Sequence, residues 1–246
     1  MPDLLLAHEV FLARFSLISG RQEAWPRWAG AEKMGMATVA GSVVLELVSG
    51  GSAVLETQRA RFLGGLQQVV VPTAERPTDP VLSAVFDSIA SRDRAKSVSS
   101  YLTSLANDID IVARLEGLGL LARGGKLPKD LELTAAGLDA ARESRAELDA
   151  WITRDDLPVP SAEVRMGLSA PTTFSPLSAH ARELGALLRA GAVWQRTWSG
   201  VSSDKSRSIA AQLSVLLNES FVLTQRGPEW RVVLEALQKL NADFVG

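Results

Sequence analysis

The stretch Pro77-Thr78-Asp79-Pro80-Val81-Leu82 contains the clearest helix start in the chain. Asp79 is a good helix N-cap, because its carboxylate can accept hydrogen bonds from backbone N–H groups that have no partner within the helix. Pro80 suits the first helical position, where its missing N–H costs nothing. The apolar side chains that follow recur at helical spacing, which predicts an amphipathic helix starting at Pro80; they are Val81, Leu82, Val85, Phe86 and Ile89.

Helical patterns also dominate on both sides of this segment, and only short stretches are typical of strands. The predicted helices are Asp3 to Leu17, Ala29 to Val48, a helix capped by Ser97 and running past Leu115, Thr134 to Arg154, Ser178 to Trp198, Asp204 to Phe221, and Glu229 to Asn241. The predicted strands are Ser52 to Glu56, Val69 to Val71 and Asp130 to Thr134, and residues 155–178 form a proline-containing irregular connection. We therefore expect a mainly α protein, a single globular helical domain over residues 1–246 with short β-hairpin elements.

Composition limits the functions that this chain can have. With 246 residues, of which 46% are hydrophobic, it is long enough to bury a sizeable core. Its 26 basic and 28 acidic residues nearly balance, so binding to a polyanion would have to come from a local patch. The absence of cysteine excludes disulfides and thiolate metal sites, and is typical of a reducing cytoplasm. Charged residues interrupt the apolar first 20 residues, which predicts neither a membrane span nor a signal peptide.

No arrangement of residues predicts catalysis. The pair His8-Glu9 begins like a zinc-protease motif, but Leu12 stands where the second histidine should be. Residues 117–122 fit a loose dinucleotide-binding pattern, yet they follow a helix and lead into a strand, which is the reverse of the required order. The acidic pair Asp155-Asp156 has no histidine near it in the sequence. We therefore expect a protein that is not an enzyme, with no catalytic residues, metal or cofactor.

Five short segments, taken in order, resemble the Golgi phosphoprotein family. They are a leucine-rich first helix, a small-residue helix that ends in a Leu-x-Glu-Leu run, a Pro-Thr-x-Asp signature, a Leu-x-x-x-Gly-x-Leu helix end and a Leu-Asp-x-Trp stretch. In this chain the segments are Leu4–Leu12, Ala37–Leu47, Pro77–Leu82, Leu115–Leu121 and Leu148–Ile152. The resemblance covers about 150 residues, with a weaker match from residue 180 to the end, and the chain is similar to a divergent, bacterial-type member.

This resemblance implies that the chain has a helical fold. It also implies that the protein is a peripheral-membrane adaptor that binds phosphatidylinositol 4-phosphate. The family's headgroup pocket uses one tryptophan and three arginines. A gap-free alignment places Ala31, Ala40, Leu105 and Asp108 at those positions, while Trp28 lies three residues from the tryptophan position. The family's apolar hairpin is reduced here to Gly124–Glu132. The resemblance therefore implies binding to phosphatidylinositol 4-phosphate or another anionic lipid headgroup, by a set of residues different from the family's own.

Tryptophans beside cations suggest which residues bind the lipid. Amphipathic aromatic rings and basic side chains are typical of membrane interfaces. We predict a cytoplasmic protein that binds to the cytoplasmic face of the membrane. Its lipid-binding residues are expected to converge on one exposed surface; they are Trp25, Arg27, Trp28, Lys33, Arg92, Arg94 and Lys96.

Two other interpretations remain open at this stage, as does the oligomeric state. The stretch Arg114–Gly137 looks like the helix-to-wing passage of a winged-helix DNA-binding regulator, with cations at Arg123, Lys126 and Lys129. The preceding helix carries Asp108, Asp110 and Glu116, however, and phosphate neutralisation needs the opposite charge balance, so a nucleic-acid partner is not expected. Alternatively, the chain is a protein-binding adaptor with no lipid role, and its C-terminal tryptophans are interface anchors rather than core residues; these are Trp194, Trp198 and Trp230.

Overall fold

The computed structural model describes residues 4–17, 19–21, 31–60, 65–105, 109–124, 131–154, 176–199, 201–223 and 227–245. These residues form ten helices: α1 (Leu6–Leu12), α2 (Ala31–Ser49), α3 (Pro80–Ala90), α4 (Val98–Ser104), α5 (Ile111–Gly117), α6 (Ala135–Ile152), α7 (Ala179–Ala190), α8 (Trp194–Thr197), α9 (Ser203–Leu223) and α10 (Pro228–Val245). They also form two antiparallel two-stranded sheets, β1 (Ala53–Arg59) with β2 (Leu66–Pro72), and β3 (Leu121–Arg123) with β4 (Leu131–Leu133). The mainly α fold class is confirmed.

Helix α2 lies at the centre of the core, and its small residues let other helices approach closely. A Cβ added at Gly41 would lie 3.1 Å from a methyl carbon of Leu237 and 3.5 Å from one of Leu102, so α10 and α4 both pack against this position. Helix α1 runs antiparallel to α2, because the Leu6 N–H donates to Glu46 Oε1 over 2.6 Å at one end. One cluster of buried apolar side chains includes members of all ten helices.

The predicted helix caps are confirmed. Asp79 Oδ1 accepts from the N–H groups of Val81 and Leu82, over 2.8 and 3.2 Å. Ser97 caps α4 through its hydroxyl oxygen, and Thr134, which the sequence pattern predicts only as the first residue of a helix, caps α6 in the same way. Each of these residues offers a side-chain oxygen to N–H groups of the first helical turn, and that local chemistry can be read from sequence.

The predicted first helix, Asp3 to Leu17, is too long. Helix α1 ends at Leu12, and the chain then turns back so that the Ser16 N–H donates to the carbonyl of Arg21 over 3.0 Å. Gly20 makes this turn possible, since its φ of +67° lies in the left-handed region. The apolar residues past Leu12 are buried without being helical, because the segment pairs with strand β4 through an Arg21–Glu132 bridge.

The single helix predicted from Ser97 past Leu115 is wrong, because the structure has two. Helix α4 ends at Ser104, and α5 starts at Ile111 with Asp110 as its own N-cap. The Asp110 carboxylate accepts from the Ala113 N–H over 3.0 Å. Acidic and amide side chains compete with the helical backbone in this way, which is why they favour helix starts over helix interiors.

The predicted helix Ser178 to Trp198 is also divided, into α7 and α8. Gly191 ends α7 and lies so close to α2 that an added Cβ would be 1.8 Å from Thr38 Oγ1. The next residue, Ala192, has a φ of 56°, a conformation that non-glycine residues rarely adopt. This tight contact with α2 is a tertiary effect, and helical spacing alone does not reveal it. Within the described ranges, no helix combines the length and apolar character needed to cross a membrane.

Candidate functional site

The β1–β2 hairpin is anchored at one end and exposed at the other. Its register pairs Ala53 with Pro72 at the base and Arg59 with Leu66 at the outer end. Ala53 is buried, whereas Leu66 is 74% exposed and is the most exposed of the large hydrophobic residues that the structure describes. The outer end of the hairpin therefore presents an apolar side chain to solvent, directly opposite an exposed arginine.

The connection between α3 and α4 lies along the outer edge of strand β2. In an antiparallel pair, alternate residues point their N–H groups away from the partner strand. The N–H of Val70 points away from β1 and donates to the carbonyl of Lys96 over 3.3 Å. A bridge between Val69 and Ser97 continues the contact. Residues 91–97 therefore lie beside the hairpin, held there by backbone hydrogen bonds.

This connection contains three of the predicted lipid-binding cations. Arg94 and Lys96 are exposed, and neither makes an ion pair with any residue that the structure describes. Arg92 is half-buried, with its guanidinium carbon 5.3 Å from the ring centre of Tyr101. Its Nε donates to the Ser88 carbonyl over 3.1 Å. Arg92 thus fixes the connection on the protein, while the other two cations face solvent.

We call Arg59, Leu66, Arg92, Arg94 and Lys96 the hairpin surface. The carboxylates beside them in sequence are Glu56 and Asp93, both exposed. Four cations against two carboxylates leave this surface positive, although the whole chain has a net charge of −2. The antiparallel bridge between Val69 and Ser97 places Lys96 beside Val70, about 13 Å along the strand from Leu66, with Arg94 toward the base of the hairpin. Exposed cations and an exposed leucine along one hairpin have the composition expected of a surface that contacts an anionic membrane.

The structure brings only part of the predicted site together. Arg92, Arg94 and Lys96 share the hairpin surface, whereas Lys33 is exposed in the first turn of α2. Strand β1 follows the opposite end of α2, so about 24 Å of helix separates Lys33 from the base of the hairpin. Trp25, Arg27 and Trp28 lie outside the described residues.

Sequence reasoning did not identify Arg59 and Leu66. The predicted strands Ser52 to Glu56 and Val69 to Val71 overlap β1 and β2, but they are shorter than the observed strands and do not predict that the two pair as one hairpin. The available signal is a glycine pair, Gly64-Gly65, beside basic and apolar residues between two strand-like runs. Only the structure shows that Arg59 and Leu66 pair and are exposed.

The β3–β4 hairpin has paired cations. Arg123 Nε lies 2.9 Å from Glu116 Oε1, and Arg21 Nε lies 2.8 Å from Glu132 Oε1. These ion pairs reduce the charge that the hairpin can offer to phosphates, and the preceding helix α5 has only seven residues. Lys126 and Lys129 of the predicted wing lie outside the described residues. None of these observations favours a winged-helix DNA-binding surface.

The C-terminal tryptophans belong to the core. Trp230 is fully buried and Trp194 nearly so. Trp198 is half-buried, and its Nε1 donates to Asp149 Oδ1 over 2.8 Å. Arg145 is buried beside it, with its guanidinium carbon 5.2 Å from the Trp198 ring. These rings pack inside the protein and do not form exposed anchors for a partner.

A separate cavity of about 360 Å³ opens between α3 and α5. Arg114 and Asp110 contribute charged side chains to its wall. Arg114 Nη2 lies 3.4 Å from Asp79 Oδ2, so the cap of α3 is also an ion-pair partner of α5. His8 lies behind this pair, and its burial lowers its pKa to about 4, an effect that nearby Asp79 opposes. His8 is therefore uncharged at neutral pH.

The comparisons add no family to this description. Neither the models of known protein families nor the curated proteins contain a match to this sequence. Among the residues that the structure describes, no three histidine or acidic side chains are grouped closely enough to hold a metal ion.

Proposed function

We propose that this chain is a non-catalytic protein that binds anionic lipid surfaces through the hairpin surface, with Leu66 entering the membrane interface. The observation that supports this most directly is the exposed hairpin end, where Leu66 and Arg59 stand opposite each other, on a hairpin whose β2 edge also carries the exposed cations Arg94 and Lys96, which make no ion pair with the described residues. Backbone hydrogen bonds fix the two elements against each other, so little ordering of the backbone is needed on binding.

The charges set the expected strength of binding. Each basic side chain near an anionic membrane contributes about 1 kcal/mol. Three exposed cations, Arg59, Arg94 and Lys96, offset by two carboxylates would therefore give a weak, reversible attraction. The apolar contact of Leu66 adds to it, since burying a leucine side chain contributes about 1.5–3 kcal/mol. The electrostatic part should decrease with salt, because the screening length falls from about 10 Å at 0.1 M to about 3 Å at 1 M.

The resemblance to the Golgi phosphoprotein family extends this proposal to one headgroup. Phosphatidylinositol 4-phosphate carries a phosphomonoester as well as the phosphodiester, so it concentrates more negative charge than a monovalent lipid. Arg94 and Lys96 are exposed and two positions apart, and they could both face such a group. In a cell, this proposal places the protein at the cytoplasmic face of a membrane, as an adaptor whose protein partners are unspecified.

Vesicle flotation tests the proposal. Vesicles contain phosphatidylcholine alone, phosphatidylcholine with phosphatidylserine, or phosphatidylcholine with phosphatidylinositol 4-phosphate at the same total charge. We expect binding to both anionic vesicles, and stronger binding to the phosphoinositide. The variant Arg94→Ala/Lys96→Ala should bind about 30-fold more weakly, since two contributions of about 1 kcal/mol are lost. The matched control, Arg142→Ala/Lys239→Ala, removes exposed cations from α6 and α10 and should bind normally.

The outcomes separate the two parts of the proposal. Equal binding to neutral and anionic vesicles, or unchanged binding by Arg94→Ala/Lys96→Ala, would exclude the hairpin surface as the membrane contact. Equal binding to the two anionic vesicles would retain that surface and exclude selectivity for phosphatidylinositol 4-phosphate.

A further inference from the structure

The cavity between α3 and α5 has an apolar wall and two opposite charges. Its volume of about 360 Å³ lies at the lower end of the range of small-molecule sites. The apolar wall includes Pro80, Val81 and Ala84 of α3, and Ile109 and Ala113 beside or on α5. A cavity of this size and lining suits a small molecule with a branched aliphatic group.

The two charges lie at the start of α5. Asp110 is its N-cap, just outside the helix, and Arg114 follows four residues later within it. Both line the cavity. A ligand in the cavity therefore meets a carboxylate and a guanidinium at the same time.

Both groups keep unused hydrogen-bonding capacity. Within the part of the chain that the structure describes, the Arg114 guanidinium makes one long contact, 3.4 Å from Nη2 to Asp79, and its Nε has no hydrogen-bond partner. Among the same residues, the Asp110 carboxylate accepts one hydrogen bond, from the Ala113 N–H to Oδ1 over 3.0 Å. Arg114 can thus donate to a ligand carboxylate, and Asp110 can accept from a ligand ammonium.

The charge balance selects against simpler ligands. A monocarboxylate would meet Arg114 but also the negative charges of Asp79 and Asp110. An amine would meet Asp110 but leave Arg114 Nε, a buried donor with no acceptor among the described residues, unsatisfied, and such donors are costly. A zwitterion satisfies both groups and adds no net charge to the site.

We propose that this cavity binds a free α-amino acid with an apolar side chain. The ligand carboxylate accepts hydrogen bonds from Arg114, and its ammonium donates to Asp110. The aliphatic side chain packs against the apolar wall that α3 contributes. This site lies at the start of α3, whereas the hairpin surface adjoins the end of the same helix, so the two binding activities can be measured independently.

Isothermal titration calorimetry with three related ligands tests the proposal. Leucine carries both charges, 4-methylpentanoic acid lacks the ammonium, and 3-methylbutylamine lacks the carboxylate. Hydrogen bonds to charged groups contribute about 1.5–3 kcal/mol each. We therefore expect leucine to bind at least 10-fold more tightly than either of the other two.

Three variants locate the site. Ala84→Leu fills the cavity without removing a charge, and it should abolish leucine binding; Ala146→Leu, on an exposed position of α6, is its matched control. Asp110→Ser keeps an N-cap hydroxyl while it removes the carboxylate. It should weaken leucine binding at least 10-fold and leave binding of 4-methylpentanoic acid unchanged or tighter.

Three results would overturn the proposal. They are no heat of binding with millimolar leucine, binding of 4-methylpentanoic acid as tight as that of leucine, and normal leucine binding by Ala84→Leu. Thermal unfolding of each variant checks that it is folded, so a loss of binding by Ala84→Leu and not by Ala146→Leu reports on the cavity itself.

Discussion

The two hairpins of this protein have the same local structure and opposite surroundings. Both are antiparallel pairs of strands with nearby arginines. At the β3–β4 hairpin, Arg21 and Arg123 are paired with carboxylates. At the β1–β2 hairpin, Arg59 has no ion pair among the described residues, and Leu66 is exposed. In the described part of the β3–β4 hairpin, carboxylates of the chain pair with the arginines, whereas Arg59 makes no such pair among the described residues.

This contrast between the hairpins predicts that variants fall into two groups, those that change stability and those that change vesicle binding. Changes near the β3–β4 hairpin and the adjoining helix α1 should alter stability and leave vesicle binding intact. Changes in the hairpin surface should alter vesicle binding and leave stability intact. The following predictions test that division, starting with the largest expected effect.

The largest effect should come from His8 of α1. Burial lowers its pKa from 6.5 to about 4, so between these values the unfolded chain takes up a proton that the folded chain does not. The folded state therefore loses stability as pH falls through this window, by up to about 3 kcal/mol. Above pH 6.5 this contribution is constant.

The variant His8→Asn isolates that effect. Asparagine can still accept the Leu5 N–H, which His8 Nδ1 accepts over 3.0 Å, but it does not titrate. Urea unfolding at pH 7 and pH 4 should show a smaller loss of stability for His8→Asn than for the native chain. Equal losses would mean that His8 does not remain neutral in the folded protein.

The next largest effect should come from Gly137, at the start of α6. An added Cβ would lie 1.9 Å from the backbone oxygen of Leu120, which the backbone cannot accommodate without moving. We expect Gly137→Ala to lower the free energy of unfolding by about 2–3 kcal/mol, as overpacking does. Thermal or urea unfolding measures the change.

Gly65 of the first hairpin provides the matched control. None of the described residues has an atom within 4 Å of a Cβ added there. Gly65→Ala should therefore change the free energy of unfolding by no more than about 0.5 kcal/mol. Equal destabilisation by Gly137→Ala and Gly65→Ala would mean that the start of α6, beside Leu120, is packed no more tightly than the outer end of the first hairpin.

A smaller effect, on binding alone, is expected for Leu66→Ser. Removing the exposed leucine should weaken flotation with anionic vesicles about 5-fold, which corresponds to about 1 kcal/mol of lost apolar contact. The free energy of unfolding should not change. Val201 is also an exposed large hydrophobic residue, 39% accessible, and Val201→Ser should bind normally. If both variants lose binding equally, the loss does not come from the hairpin surface.

The smallest effect should come from Arg21→Ala. Its ion pair with Glu132 is 2.8 Å long but well exposed, and such pairs contribute less than about 1 kcal/mol. The difference from the native chain should disappear in urea unfolding at 1 M salt. Vesicle binding should remain native, and a loss of binding would show that the second hairpin also contacts the membrane.

The outline of the fold was predictable from sequence because its signals are local. Asp79 and Ser97 each cap the helix that they predict. The wrong predictions concern helix length, since a run of apolar residues at helical spacing can be buried in more than one way. Arg92, Arg94 and Lys96 could be proposed as a group because they are close in sequence. Their position along the β2 edge of the first hairpin could not, since it depends on the pairing of Val70 with Lys96, residues 26 positions apart in the chain.

The sequence by itself determined a mainly α protein whose helices begin at residues with capping side chains. Capping and helical periodicity act over a few residues, so they are encoded where they occur. Only the tertiary structure decided which arginines are paired, that the end of the β1–β2 hairpin is exposed, and that Asp110 and Arg114 line an open cavity beside α3. Exposure, ion pairing and cavity volume depend on segments distant in sequence, and no local pattern specifies them.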